Sequence, residues 1–557
     1  MKSPDARERL RLAGDLMASL TDTIPAVRCL RGRWFAVSAT LDRLRAAVSC
    51  IAALPPDSLS HPLFSDLLKT LPETLALTLT LSLHCSSPEP PAGHLQTLSD
   101  LSSAAAELAR LASDADLLLR SNTLIDSSSE AAGVSRRDAV RELVTRVQIG
   151  DAASRAASLE ELVGAMEKDA KEVVVAAAEG AVPAVVRLLD SPCRETRDRA
   201  VEAIARFSAA EGCRPVLAGE GVLLLNHLAR ALESDASGPA RESACVALQA
   251  LTVTRDAAMA VGSRGAVGSL LTICVSGTPS SQAAAAGVLR NLAEVIELQE
   301  IFLEENAVPI LIQLLSSGTI LAKANAAACL CNLTSSQDAH GLKLLILKEG
   351  GLECLKDYLE SGAVGDKDWD VNSTLRLLRN LLSFKYIGGI VTTMPGLVPL
   401  VLAMLDSRAS STRTEATKVV FELAYWAKVR KEMGHLGCVS RLVVMLEAKA
   451  YEEKEAAVMA LAALMQCAGN RRLFRKEERG VVNVVMLLDP LLKNVDKKYV
   501  VSVLMLVSQS RRCRKKMVAA GACGYLQRLV DVEVEDAKVL LESLEKGKKL
   551  WGVFTTK

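Results

Sequence analysis

Aromatic residues are scarce in this chain. Of 557 residues only 3% are Phe, Trp or Tyr, although half are apolar. The apolar content is therefore mostly Leu, Val and Ala, which suits many short, closely packed helices and suits sheets poorly. An excess of one charge is also lacking: 66 Lys and Arg face 65 Asp and Glu. No global field draws the chain to nucleic acid or membrane, so an electrostatic function would need local segregation of charge. The 14 cysteines are scattered and form no C-x-x-C pair. The closest two, Cys329 and Cys331, are spaced to lie on different faces of a helix. Six dispersed histidines add no metal-type cluster. The thiols are expected to be reduced and buried, and no metal or cofactor is expected.

Long hydrophobic runs are missing too. The N-terminal stretch MKSPDARERLRLAGDL is too charged for a signal peptide. The apolar stretch Leu75–Leu83 falls well short of the roughly 20 residues a membrane span needs. A cytoplasmic or nuclear location, or both, is the expectation. The chain contains no P-loop, no dinucleotide-type G-x-G-x-x-G after a strand, no H-E-x-x-H and no G-x-S-x-G. Acidic pairs such as Glu304-Glu305 and Glu452-Glu453 read as solvated charge rather than paired acid and base. His227, His340 and His435 are isolated and read as structural. No catalytic residue is assigned, and no enzymatic activity is expected.

What is present is a repeat. A phrase of Gly, a small residue and Val or Leu recurs at Gly180, Gly221, Gly265, Asn306, Gly351, Gly396, Gly437, Gly480 and Gly521. The spacings are 41, 44, 41, 45, 45, 41, 43 and 41 residues, a period of α-solenoid repeats. Each Gly, or Asn306, permits a left-handed turn between two helices. An apolar helix follows, such as Val182–Leu189 or Val308–Leu315. A polar break follows that, at Asp190-Ser-Pro, Ser316-Ser-Gly or Asp406-Ser-Arg. An Ala-rich helix closes the unit. Three such helices share an L-x-N-L phrase: Leu289–Leu292, Leu330–Leu333 and Leu378–Leu381. One unit cannot bury its apolar face alone, but stacked units share a core.

Residues 1–150 do not follow this period. Apolar helical patterns run about Ala6–Leu20, Ala26–Leu54, Pro62–Leu83 and Leu95–Leu119. Breaks fall at Pro55-Pro56 and at the segment holding Pro88, Pro90 and Pro91, and Ser127–Ser129 with Gly133 read as a linker. A further helix is expected near Ser135–Ile149. The organisation is thus all-α: a helical bundle over 1–122, a linker and lead-in helix over 123–165, and a solenoid over 166–557. The solenoid has about eight full repeats and a degenerate ninth.

The Gly/Asn starts and the L-x-N-L phrases resemble the armadillo-repeat family; HEAT repeats share the period but lack the Asn phrase. A helical bundle ahead of such repeats is similar to plant U-box/armadillo ubiquitin ligases, and more so to their relatives without a U-box. The Cys-Pro-Ile and Asp-Pro-Val phrases of a U-box are absent from residues 120–165, so the resemblance does not carry ligase activity over. It implies a protein-binding scaffold whose third helices line a concave groove. It also implies that the Asn column pairs with the main chain of an extended peptide, because an amide offers both donor and acceptor.

Aligned on L-x-N-L, that column holds Arg206, Ala250, Asn291, Asn332, Asn380, Glu422, Ala463 and Leu506. One turn earlier stand Glu202, Val246, Gly287, Ala328, Arg376, Lys418, Met459 and Ser502. Nuclear-import receptors carry Trp at this second column, and none is found here, so lysine-reading slots are not expected. Arg376 and Lys418 instead suggest an acidic ligand, or one with a C-terminal carboxylate, near the middle of the groove. A basic ridge is expected from Lys428, Arg430, Lys431, Arg471, Arg472, Arg475, Lys476, Arg511, Arg512, Arg514, Lys515 and Lys516, facing an acidic partner or anionic membrane surface. Nucleic acid is the weaker expectation, because no aromatics interleave with these charges. The expected partners are thus other proteins. A ubiquitin-pathway accessory role and a membrane-peripheral scaffold are the alternatives.

Overall fold

The computed structural model describes residues 6–27, 29–53, 62–86, 94–125, 136–233, 236–336, 339–364 and 371–552. Among them the regular elements are helices, with no strand. The chain divides into two compact units, residues 1–251 and 252–557.

The first unit opens with four long helices: α1 (Ala6–Thr23), α2 (Arg31–Ala52), α3 (Pro62–Ser86) and α4 (His94–Ile125). They match the four apolar patterns of the sequence. Helix α1 packs on α3, α2 on α4, and α3 on α4. Leu10, Met17 and Leu20 of α1, Leu41, Leu44 and Ile51 of α2, and Leu68, Leu71 and Leu75 of α3 recur at helical spacing and are buried together. Trp34 is buried among them. The Thr hydroxyls of α3 do not oppose this burial. Thr74, Thr78 and Thr80 each donate to a carbonyl one turn back, at 3.0, 2.7 and 2.9 Å. The proline and serine breaks expected at Pro55-Pro56, Pro88, Pro90, Pro91, Ser127–Ser129 and Gly133 lie outside the described residues.

Helices α5 (Arg136–Ile149) and α6 (Ala152–Lys168) follow. Helix α6 is capped by Asp151, whose carboxylate accepts from Ser154 N at 2.7 Å. It packs on the helix Arg194–Ala209, as third helices do on one another further along. Stacking is therefore already present in the segment expected as linker and lead-in.

A charged cluster lies beside α4 and α6. Asp114 is 4% exposed and accepts from Arg110 Nη1 at 2.5 Å. Arg110 also pairs with Glu107. Arg155 of α6 shares a cavity of about 260 Å³ with these three. Burial pushes the Asp114 carboxyl up to about 6, against the opposing pull of Arg110, Arg155 and Arg187.

The repeats have three helices each. In Gln299–Glu304, Ala307–Ser317 and Ile320–Leu333, a short first helix, an apolar second and a long third succeed one another. Asn306 takes φ 50° between first and second, and Gly180, Gly221, Gly265, Gly396, Gly437 and Gly521 take φ 66–85° at the matching turns. Two starts differ from the sequence reading. At Gly351 the left-handed residue is the preceding Gly350. At Gly480 the turn needs no positive φ, and close packing keeps the residue small: a Cβ there would meet the Phe474 ring at 3.1 Å.

In the second unit the third helices pack in one consecutive row: Pro279–Ala293, Ile320–Leu333, Val371–Leu382, Ser410–Leu423, Tyr451–Leu464, Lys497–Val507 and Ala537–Gly552. A helix flanked on both sides has little free surface. Cys329 and Cys331 therefore point to different faces and are both buried. No disulfide joins the cysteines among the described residues, and burial pushes the thiols of Cys274 and Cys438 up to about 12.

Two outcomes follow. A carboxyl raised from the usual 3.8 to about 6 binds its proton more tightly in the folded chain, so its contribution to stability grows as pH falls through about 6. Glu107 is held below its usual value by Arg110 and titrates under this window. The melting temperature of the wild type minus that of Asp114→Asn is expected to rise between about pH 7 and about pH 5. At Gly434 an added Cβ would overlap the side-chain amide of Asn470, which is 2% exposed. Gly434→Ala is expected to cost about 1–3 kcal/mol, read as a lowered denaturation midpoint.

Candidate functional site

The last four carbonyls of any α-helix lack donors within the helix. Along the third-helix row of the second unit, side chains of the following repeat reach back to them. Asn332 donates to Arg290 O at 3.1 Å. Asn380 donates to Cys331 O at 3.2 Å and to Thr334 Oγ1 at 3.3 Å. Asn291 donates to Thr252 Oγ1 at 3.1 Å, and its oxygen accepts from Arg290. The three Asn side chains expected in one column do stand on three successive third helices. In this structure their amides tie repeat to repeat. Asn325, which the column does not contain, acts alike: it is 2% exposed, donates to Ala283 O at 2.8 Å and accepts from Arg290 Nη1 at 3.1 Å.

The charged column residues have varied surroundings. In the first unit Arg206 pairs with Glu167 and Glu202. In the second, Arg376 is exposed, and Lys418 holds Glu415 at 2.8 Å, which also takes Arg379 at 2.9 Å. Glu422 accepts from Lys385 Nζ at 2.5 Å. Lys385 donates as well to Leu382 O at 3.2 Å. Its ammonium lies 4.9 Å from the Tyr425 ring centre and 5.5 Å from that of Trp426, within cation–π range. Trp426 is seated close against Gly388, where a Cβ would collide with the indole.

The aligned column marked Glu422 and Ala463 in this neighbourhood but not its aromatic side chains. Phe384 and Tyr386 pack at 5.3 Å, Tyr425 and Trp426 at 5.7 Å, and Phe421 meets Tyr499 edge-on at 6.1 Å. Six aromatic side chains thus gather here in a chain that is 3% aromatic. A cavity of about 420 Å³ opens among Lys385, Phe421, Glu422, Ala424, Tyr425, Arg430, Ala463 and Gln466. The available signal was the local enrichment between Phe384 and Trp426, not the repeat register.

The expected ridge residues are on three first helices, Ala427–His435, Ala468–Lys476 and Arg511–Ala519. Several serve the fold. Arg471 Nη1 donates to Met465 O at 2.8 Å, and Arg514 Nη1 to Ser508 O at 2.5 Å, each closing the end of the preceding third helix. Lys428 donates to Thr392 O and Lys516 to Glu478 O. Arg475 is half-buried. Arg472, Arg511, Arg512 and Lys515 are exposed. Among the described residues no group of three or more His, Cys, Asp or Glu could hold a metal ion, and no single helix is long and apolar enough to cross a membrane.

The geometry of three-helix units with a left-handed turn and a third-helix row meets its counterpart in known proteins. The model of the armadillo/beta-catenin-like repeat matches residues 298–335, one first–second–third helix unit. The fold is an armadillo-type α-solenoid. Residues 11–123 match a domain of unknown function, DUF7032, which covers the helical bundle. Among solved structures, beta-catenin, from work on a phosphorylation switch in its interaction with cadherin, is similar at 15% identity with a TM-score of 0.63. The match covers 89% of this chain and 99% of that one. An engineered protein is similar at 22% identity and a TM-score of 0.60, over 74% of this chain and 98% of its own. At such identities the likeness concerns the fold. No curated protein matches in sequence.

In this armadillo row Asn332 closes a helix end, so its loss has a structural cost. Asn332→Ala is expected to lower stability by about 1 kcal/mol, measured by chemical denaturation. Unchanged stability would show that the carbonyl is served as well by water.

Proposed function

We propose that the protein is a non-catalytic scaffold that holds an extended segment of a partner protein along the third-helix row of its second unit. The observation that carries this reading is the row itself. Polar or aromatic positions stand on three of its helices, Arg376 on Val371–Leu382, Lys418 and Phe421 on Ser410–Leu423, and Tyr499 and Ser502 on Lys497–Val507, with the apolar Met459 and Ala463 on Tyr451–Leu464 between them. Packed helices are about 8–10 Å apart, and an extended chain advances about 3.3 Å per residue. A bound segment would therefore meet a new helix about every three residues, with alternate side chains directed at the row. The likeness to beta-catenin, a protein studied for its interaction with cadherin, supports the reading at the level of fold. The amide bonds of Asn291, Asn332 and Asn380 make those residues the rigid floor, with the charged and aromatic side chains around them giving selectivity.

The test is selection of random peptides of about 15 residues, displayed as internal segments on phage, against the full chain. A peptide of that length spans about five helices of the row. Selected peptides are expected to slow amide hydrogen exchange in the third helices between Val371 and Val507 and to lose affinity when Arg376 and Ser502 are both changed to Trp. Protection confined to second helices, or no selected peptide, counts against the row as the binding surface.

A further inference from the structure

The cavity beside Tyr425 joins two unlike halves. On one side Lys385 and Glu422 neutralise each other at 2.5 Å, and the ammonium is further held by Leu382 O and by two aromatic faces. That half has no charge left to offer. On the other side stands Arg430, which forms no ion pair among the described residues. Its Nε is enclosed without a hydrogen-bond partner. Guanidinium is the side chain best shaped to grip a carboxylate with two parallel bonds. Gln466 is exposed at the cavity edge and adds an amide donor, while Phe421, Ala424, Tyr425 and Ala463 supply apolar and aromatic lining.

The position of Arg430 is fixed from behind. Its backbone carbonyl accepts from Asn470 Nδ2 at 3.0 Å, and the same amide donates to Leu464 O at 3.1 Å. Asn470 is 2% exposed and rests against Gly434. The first helix Ala427–His435 is thereby pinned to the end of the third helix Tyr451–Leu464. Arg430 thus starts from a rigid base, which lowers the ordering cost of binding.

We propose that this cavity receives the carboxylate of a glutamate or aspartate side chain from an extended partner segment, with Arg430 as the receiving cation, Gln466 as a second donor, and Phe421 and Tyr425 against the methylene stem. The charge balance selects the occupant: one uncompensated guanidinium in an otherwise neutral, aromatic-walled cavity matches one anion. The cavity adjoins the ends of two third helices, Ser410–Leu423 and Tyr451–Leu464, so an acid side chain can enter from a segment that continues along the row. This proposal rests on the groove reading above and adds the identity of one anchoring residue.

The same internal peptide library tests it. Peptides selected on the wild-type chain are expected to share one fixed Glu or Asp, and the affinity of their synthetic, terminally blocked forms is expected to fall at least about tenfold with Arg430→Gln, the scale of one charge-assisted hydrogen bond. Selection on Arg430→Glu is expected to lose the acid or replace it with Lys or Arg, while the other preferred positions persist. Gln466→Ala, at an exposed position, is expected to weaken binding without moving the melting temperature, which covers the case in which an Arg430 variant folds poorly. Peptides that bind with no acid preference, or that keep it in both variants, overturn the anion pocket and leave the groove intact. Binding only by peptides with a free C-terminus replaces the side-chain occupant with a terminal carboxylate and overturns the proposal as stated. Absence of any row-binding peptide overturns the groove reading and the pocket with it.

Discussion

The carbonyls at the end of each third helix are the constraint on which the second unit depends. A helix of twelve to fifteen residues, as in Val371–Leu382 and Pro279–Ala293, cannot satisfy its last turn from within. Burying that turn without donors would be costly. The chain solves this with side chains about one period further on. Asn332 and Asn380 close ends that their own repeats did not create, and Asn470 bonds both the adjoining third-helix end at Leu464 O and, one period back, Arg430 O within a first helix. Arg413 does a related service by packing a bidentate pair onto Glu453 of the next third helix, at 2.6 and 2.9 Å. Burial pushes the Glu453 carboxyl up, yet the hydrogen bonds from Arg413 and Ser410 outweigh it and hold the group below its usual range. Apolar stacking and polar closure thus share one register, and neither is complete within a single repeat.

The fold was legible because its signals are local and recur. Leu, Val and Ala in place of aromatics indicated helices, and the Gly/Asn phrase marked the left-handed turn at Gly180, Gly265, Asn306, Gly396, Gly437 and Gly521. At Gly350 and Gly480 the register and the backbone part company. In one case a neighbouring glycine takes the turn. In the other a helix arrives without positive φ, and the glycine is small for the sake of the Phe474 ring. Neither distinction is written in the spacing. The stacking of α6 was hidden for a different reason: its sequence lacks the turn phrase, and only its packing on Arg194–Ala209 identifies its kind.

The site was legible only in outline. Alignment on L-x-N-L placed Asn291, Asn332 and Asn380 in a column, but a column does not say what an amide bonds to, and the nearest carbonyls belong to the chain itself. Arg430 and Arg471 looked alike as members of a basic run. The structure separates them: Arg471 closes a helix end, whereas Arg430 faces a cavity. The aromatic cluster was missed because it combines positions on third helices with positions that follow their ends. Phe421 is on a third helix, Tyr425 and Trp426 follow its end, and Phe384 and Tyr386 flank the preceding end. The repeat period connects Phe384 with Tyr425 and Trp426, but not with Phe421 or Tyr499, and their proximity arises only after stacking.

Lys385 gives this surface a bias that contact lists alone do not express. Its ammonium already covers the faces of Tyr425 and Trp426 and already holds Glu422. A lysine arriving on another chain would find these aromatic faces taken, the acid engaged and a like charge in its way. Discrimination between ligands is a difference of affinities, and it can be set by what a site refuses. By supplying its own cation, the protein makes a feature that would otherwise attract basic sequences into one that turns them away.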